Sequence, residues 1–341
     1  MFKILDHVRR GQAGICSALG LGPSERPWQV IAEGRPWRLR EYEARGTGPP
    51  VLIVASPIKR PYIWDLAPAV SAVGRCLDHG LRVWLLEWTS PPDGPADLGL
   101  DGYAGVGLSD GIAAASRAAG ARPFLAGHSL GGSLAAIHAA LDPGCAAGLV
   151  LLSAPLCFAK GSSPFRDAIA SPALSLPAAS SMLPGALLSQ VSAMADPGTF
   201  VWSRLLDAAL CTGDPTAMEL HARVERWTLD EAPVPGRLVG EILQWLYRED
   251  RFCRGTLPIA ARSVGPSGMA SPILAAVNGS DQVVPRTAVQ PFLDAAPSKD
   301  VRLLEYPGDT GVALQHVAVL VGRAAHAVLW PEILAWIEAR G

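Results

Sequence analysis

Unbroken apolar runs alternate with longer stretches of helical spacing through the first half of the chain. The runs at 51–55, 82–88, 124–126 and 149–152 carry no regular polar face. Strands covered on both sides read this way, and such strands belong to parallel sheets. Between them lie 65–79, 102–119 and 130–141, each long enough for the crossover helix that a parallel pair needs. This alternation predicts a doubly wound sheet. Ahead of it, two short alternating stretches, 28–32 and 37–42, flank Gly34-Arg35 and predict a β-hairpin.

After Ser153-Ala-Pro155 the rhythm breaks for about a hundred residues, where proline-rich punctuation surrounds helical pieces at 199–210, 216–227 and 236–247. Strands resume at 272–277 and 301–306, and a helix closes the chain at 331–340. The pattern predicts two antiparallel starter strands and six parallel ones. It divides the chain into a core of residues 1–155 and 256–341, and a helical cap of residues 156–255. No internal repeat or low-complexity tail interrupts this scheme.

One junction carries chemistry. The apolar run at 122–126 leads into Gly127-His128-Ser129-Leu130-Gly131, and a small-residue helical run follows. Strand, tight turn and helix in that order form a nucleophile elbow, which holds a serine hydroxyl above the sheet edge. Gly127, Gly131 and Gly132 leave room for strand and helix to approach. The same glycine-serine-glycine spacing recurs around Ser109, but no apolar strand precedes it, and Ser109 reads as a helix N-cap. Ser129 is therefore the candidate nucleophile.

A serine hydroxyl needs a base, and the base needs a carboxylate to set its tautomer. In this architecture the chain order is serine, acid, histidine, at the carboxyl ends of late strands. Asp281 directly follows the strand at 272–277 and is preferred over Asp294, Asp300 and Asp309. Of seven histidines, His7, His79 and His221 fall away from the catalytic edge, His128 and His138 are expected to pack, and His326 lies in a helix. His316 stands just past the last strand and is the candidate base. The oxyanion hole needs two backbone N–H groups: Leu130 supplies one, and after the strand at 51–55 Pro57 has none to give, so Ile58 is the second choice with Ser56 behind it.

Composition narrows the class. Net charge is −2 over 341 residues, which argues against a nucleic-acid or anionic-membrane footprint. The charged fraction of 18% is low, which fits an apolar surface meeting a lipid, a polyester or a second copy of the chain through the cap. The scarcity of lysine, four against 25 arginines, fits an ordinary compositional bias equally well. Six cysteines without a C-x-x-C predict neither a zinc site nor a disulfide framework, but free thiols. No run reaches the length of a membrane span, and charges interrupt the N-terminal residues. A soluble cytoplasmic protein without metal or cofactor is expected.

Beyond the elbow, longer segments resemble the polyhydroxyalkanoate synthases, especially the shorter two-subunit type. Pro57-Ile-Lys-Arg-Pro-Tyr-Ile-Trp-Asp-Leu66 is similar to the family's loop and helix after the first parallel strand, and Trp84-Leu-Leu-Glu-Trp88 to its next strand. Glu225-Arg-Trp227-Thr-Leu-Asp230 and Trp245-Leu-Tyr-Arg-Glu-Asp250 are similar to its cap, Asp281-Gln-Val-Val-Pro285 to the segment with its acid, and Gln315-His316-Val317 to its histidine. The resemblance implies an α/β-hydrolase fold with an eight-stranded, mostly parallel sheet and a cap. It departs from the family at the nucleophile, where Ser129 replaces cysteine, at Leu314-Gln315, which replaces Gly-Gly, and at Gln282, which replaces histidine. Chain growth exchanges acyl groups between thiols, whereas a serine ester is a deeper well with a worse leaving group. The reading is a serine esterase or thioesterase acting on 3-hydroxyacyl esters, oligomers or acyl-CoA. The alternatives are polymerisation, and a non-catalytic subunit that binds polyester granules or a partner.

Overall fold

A computed structural model describes residues 2–89, 97–172 and 182–341; residues 173–181 of the expected cap lie outside the described residues. Eight strands form one sheet: β1 (Trp28–Gly34), β2 (Trp37–Tyr42), β3 (Pro50–Val54), β4 (Arg82–Trp88), β5 (Phe124–His128), β6 (Gly148–Leu152), β7 (Ile273–Asn278) and β8 (Val301–Tyr306). Their spatial order is β1-β2-β4-β3-β5-β6-β7-β8. The hairpin β1–β2 pairs antiparallel and joins β4 antiparallel, and every pair from β4 to β8 is parallel.

The apolar runs are central because both faces are covered. Every residue of β3, β5, β6 and β7 is buried, while β1 at one edge is largely exposed and β8 at the other is mixed. Helices α2 (Ala72–Asp78) and α8 (Trp330–Glu338) pack together, α3 (Leu108–Ala119) packs on α4 (Leu130–Leu141), and α4 seats against β5 and β6. A parallel sheet with reversing strand order leaves its functional crevice at the carboxyl ends of the strands. Both β5 and β7 open there.

Between β6 and β7 the chain leaves the sheet. Helices α5 (Gly185–Ala195), α6 (Ser203–Leu210) and α7 (Pro215–Thr228) lie in this insertion. Helix α1 (Phe2–Cys16), absent from the sequence reading, packs on α5 and α7 rather than on the sheet. Its inward side is thin: among its described side chains only Ala13 is fully buried, while Ile4, Val8 and Ile15 face outward. That inverted stripe explains why apolar spacing did not announce a packed helix.

Two expectations are corrected. Ser109 caps nothing, because the helix begins before it with wide π-type turns over Asp101–Gly107, which leaves the serine inside a continuous helical run. Cys157 and Cys253 are not free thiols but form a disulfide across a sequence separation of 96 residues. It joins the chain leaving β6 to the chain returning toward β7, a pairing that no spacing rule could reveal. Cys16, Cys76, Cys145 and Cys211 are free. Among the described residues no single helix is long and apolar enough to cross a membrane.

Candidate active site

β5 ends at His128 on the carboxyl rim, and Ser129 turns the chain directly into α4. The turn is strained, with Ser129 at φ 53° and ψ −132°, a setting that costs a non-glycine residue about 1–3 kcal/mol. The crowding around it is severe: a β-carbon on Gly127 would stand 2.5 Å from Gly132 Cα, and one on Gly131 would stand 2.3 Å from the Val54 oxygen. The strain is held by backbone bonds from Ser129 N–H to the Leu152 carbonyl at 3.0 Å and from Ser133 N–H to the Ser129 carbonyl at 3.1 Å.

Three distant side chains meet at this corner. Ser129 Oγ lies 2.8 Å from His316 Nε2, and His316 Nδ1 lies 2.8 Å from Asp281 Oδ2. A carboxylate accepts, so Nδ1 carries the proton and Nε2 is left bare toward the hydroxyl. Asp281 is 1% exposed, and its other oxygen accepts the amides of Val283 at 2.8 Å and Val284 at 3.1 Å. Burial pushes this carboxyl upward, but the charge and hydrogen bond of His316, with the two amides, together hold it below its ordinary value. Asp281 is ionised, with donors on both of its oxygens.

His316 is anchored through the backbone of its neighbour Gln315. Asn278 Nδ2 donates to the Gln315 carbonyl at 2.8 Å and to Gln315 Oε1 at 3.0 Å, and Gln315 Nε2 donates to the Asp309 carbonyl at 2.5 Å. Here Leu314-Gln315, the departure noted above, has work of its own, because a glycine at 315 could not make these side-chain bonds. Leu130 opens α4, so its amide has no acceptor within the helix. Ile58 and Ser56 border the same cavity as Ser129 and Leu130. Thus the arrangement can carry a proton from hydroxyl to imidazole beside backbone donors.

Sequence comparison extends over nearly the whole chain. Poly(3-hydroxyalkanoate) polymerase subunit PhaC of Haloferax mediterranei is 27% identical over 92% of this chain and 64% of its own length. The protein of the same name from Allochromatium vinosum is 23% identical over 99% of this chain and 96% of its own. The chain therefore spans somewhat less than two thirds of the haloarchaeal relative and nearly all of the bacterial one. Among solved structures, a monoacylglycerol lipase of Paleococcus ferrophilus superposes with a TM-score of 0.52 at 18% identity, covering 88% of this chain and 99% of the lipase. The chain has the α/β-hydrolase fold and is similar in sequence to polyhydroxyalkanoate synthase subunits. No family model matches it.

Ser129 opens into a cavity of about 420 Å³. Its wall is mostly apolar, with Ile63, Phe158, Phe165, Phe200, Trp227 and Ile242 among the lining residues. Of the three insertion tryptophans, Trp227 borders this cavity and is buried, Trp245 is half-buried, and Trp202 is exposed at 66%.

A buried ionic cluster borders the cavity as well. Glu231 takes Lys59 Nζ at 2.9 Å and Arg9 Nη2 at 2.8 Å, and both cations also reach the Thr228 carbonyl. Burial lowers the Lys59 pKa to about 8 against the opposing pull of Glu231. The adjoining peptide is tied as well, since Ala232 N–H donates to the Ile58 carbonyl at 3.2 Å. Sequence reasoning missed this cluster because its members come from positions 9, 59, 189 and 231, with no motif between them.

Proposed function

We propose that this chain is a serine acyl-transfer enzyme that takes 3-hydroxyacyl esters or acyl-CoA thioesters through an acyl-enzyme on Ser129. The insertion at 156–255 serves as its cap and roofs the acyl pocket. The observation that carries the reading is the 2.8 Å contact between Ser129 Oγ and His316 Nε2 at the floor of an apolar cavity.

In the first step His316 Nε2 takes the hydroxyl proton as Oγ attacks the carbonyl carbon. The Leu130 amide, with Ile58 as second donor, receives the developing oxyanion. The tetrahedral adduct collapses, the leaving thiol or alcohol departs with the proton from His316, and an acyl ester remains on Ser129. A second nucleophile then repeats the sequence. Water gives the free acid, and the hydroxyl of another hydroxyacyl unit gives a longer ester.

We assign water as the usual acceptor, because an oxygen ester on serine lacks the near-equal exchange available between thioesters. Polymerisation is retained as a second reading, supported by the names of relatives that align with 92–99% of this chain. The test is direct. The protein is incubated with 3-hydroxybutyryl-CoA and products are separated. Free 3-hydroxybutyrate in step with released thiol supports hydrolysis, insoluble polyester supports the synthase reading, and no turnover with no fluorophosphonate labelling of Ser129 rejects both.

A further inference from the structure

We propose that Asp207, on cap helix α6, is a positioning residue that holds the loop carrying His316, so that seating of the cap and readiness of the base are one event. This rests on the acyl-transfer reading of the site. The loop from β8 to His316 turns through three left-handed residues, Gly308 at φ 106°, Gly311 at φ 85° and Ala313 at φ 56°. An alanine in that region is strained and persists because its surroundings impose it. One side of the loop is tied to the core through Asn278 and through Asp309, whose carboxylate accepts the amides of Ala324 and Ala325.

The other side is tied to the cap, and by one carboxylate. Asp207 Oδ1 accepts Gly311 N–H at 2.9 Å, and Oδ2 accepts Ala313 N–H at 2.8 Å. His221 on α7 donates its Nδ1 proton to the same Oδ2 at 2.7 Å. Asp207 and His221 are each 7% exposed, so water cannot readily replace these bonds. Burial works to raise the Asp207 carboxyl, yet the imidazole and two amides together hold it below its ordinary value and keep it charged. Loop and cap also touch sterically, for a β-carbon on Gly311 would lie 2.8 Å from the Ala217 carbonyl oxygen. If α6 and α7 lifted, two of the strained peptides just before His316 would lose their partners.

Asp207, His221 and the buried Cys211 also place donor atoms within 4.8 Å of one another, the geometry of a metal cluster. The hydrogen bonds favour the latch. Each Asp207 oxygen already receives N–H donors, and burial followed by the charges of Asp207 and Asp214 pushes the Cys211 thiol upward, away from the thiolate that a metal requires.

The experiment uses the full chain and four proteins: wild type, Asp207→Asn, His221→Ala and His221→Asn, the last keeping an amide donor near the position of Nδ1. Readouts are the fluorophosphonate labelling rate of Ser129, kcat and KM for a p-nitrophenyl ester, and amide hydrogen exchange of residues 308–316. Asp207→Asn and His221→Ala are expected to slow labelling and kcat roughly 10- to 100-fold, with KM nearly unchanged and exchange faster in 308–316 but not in the sheet. His221→Asn should recover most of the loss. If Asp207→Asn does not fold, the contrast between the two His221 variants decides. Unchanged labelling together with unchanged exchange overturns the latch, as does stoichiometric zinc in the wild type that Asp207→Asn loses. Hydrogen exchange needs no turnover, so faster exchange in a chain inert to esters would uphold the latch while rejecting the acyl-transfer reading.

Discussion

His128 donates its Nε2 proton to the backbone carbonyl of His316 across 2.9 Å, and the two rings sit tilted at a centroid distance of 4.8 Å. Burial, with a smaller push from the neighbouring imidazole, takes the His128 pKa down to about 3. It therefore stays neutral near pH 7, and a carbonyl partner requires the proton on Nε2. His128, the residue before Ser129, thus holds the backbone of His316. His128→Ala removes one buried hydrogen bond of about 1 kcal/mol or more, so ester turnover should fall roughly 10-fold. His128→Gln, which retains a donor, should lose less. Steady-state kinetics beside thermal melts separate this effect from loss of fold.

Ser129→Ala should abolish ester turnover and fluorophosphonate labelling while leaving the melting curve near wild type. Ser129→Cys tests the chemical argument about the acceptor. A thiolate both attacks and leaves well, so with 3-hydroxybutyryl-CoA the variant should send a larger share of acyl groups to added thiol than to water. Product ratios by chromatography measure it.

Glu231→Gln should destabilise the fold by about 3 kcal/mol or more, because it leaves Lys59 and Arg9 facing each other without a counter-charge in a poorly hydrated site. Glu231 is 3% exposed in its side chain, and its two cations are 20% and 17% exposed. Since the same contacts tie down the loop with Ile58, kcat should fall with stability. Urea unfolding and ester kinetics on one preparation check both.

Three buried histidines dictate a pH dependence of stability. Burial lowers His128 to about 3 and His326 to about 4, and lowers His138 from its ordinary 6.5. Below pH 6.5 the unfolded chain binds protons that the folded chain refuses, so these groups contribute stability above pH 6.5 that is lost as pH falls toward 4. For His326 burial is the main cause and Arg75 adds to it: Nε2 donates to the Leu320 carbonyl, which partly opposes the shift, and Nδ1 accepts from Arg75, so a second proton would face a guanidinium. Urea midpoints at pH 7 and pH 4.5 should show the loss, and His326→Gln should reduce it.

Reduction of Cys157–Cys253 should lower the melting temperature, because the bridge closes a loop with a sequence separation of 96 residues. Chain entropy assigns such a loop about 4–5 kcal/mol, and measured effects run lower. Calorimetry of wild type and Cys253→Ser, each with and without reductant, tests it. Reductant should move the wild type alone.

The chain order of apolar runs was enough to read the sheet. The strands at 82–88 and 301–306, and the helix at 130–141, stand at the expected bounds, because burial on both faces leaves a compositional mark that needs no partner to be recognised. The elbow was legible for a similar reason, since a strained serine between glycines is a local constraint. Ser129, Asp281 and His316 could be placed on one rim from order alone, and the structure brings their side chains within hydrogen-bonding distance.

What surrounds them was not legible. The hydrogen bond from His128 to His316 spans 188 residues, Lys59 to Glu231 spans 172, and Asp207 reaches Gly311 across 104. Spacing rules describe a residue's neighbours within a few turns of chain, and these contacts have none. The sequence by itself determined which strands form the core and which residues reach its carboxyl rim, because hydrophobic periodicity and backbone strain are written locally. Tertiary structure decided which charges pair, which cysteines join and how helices α1, α6 and α7 hold the loops of the site, because those choices follow from which surfaces are buried against each other once the sheet has formed.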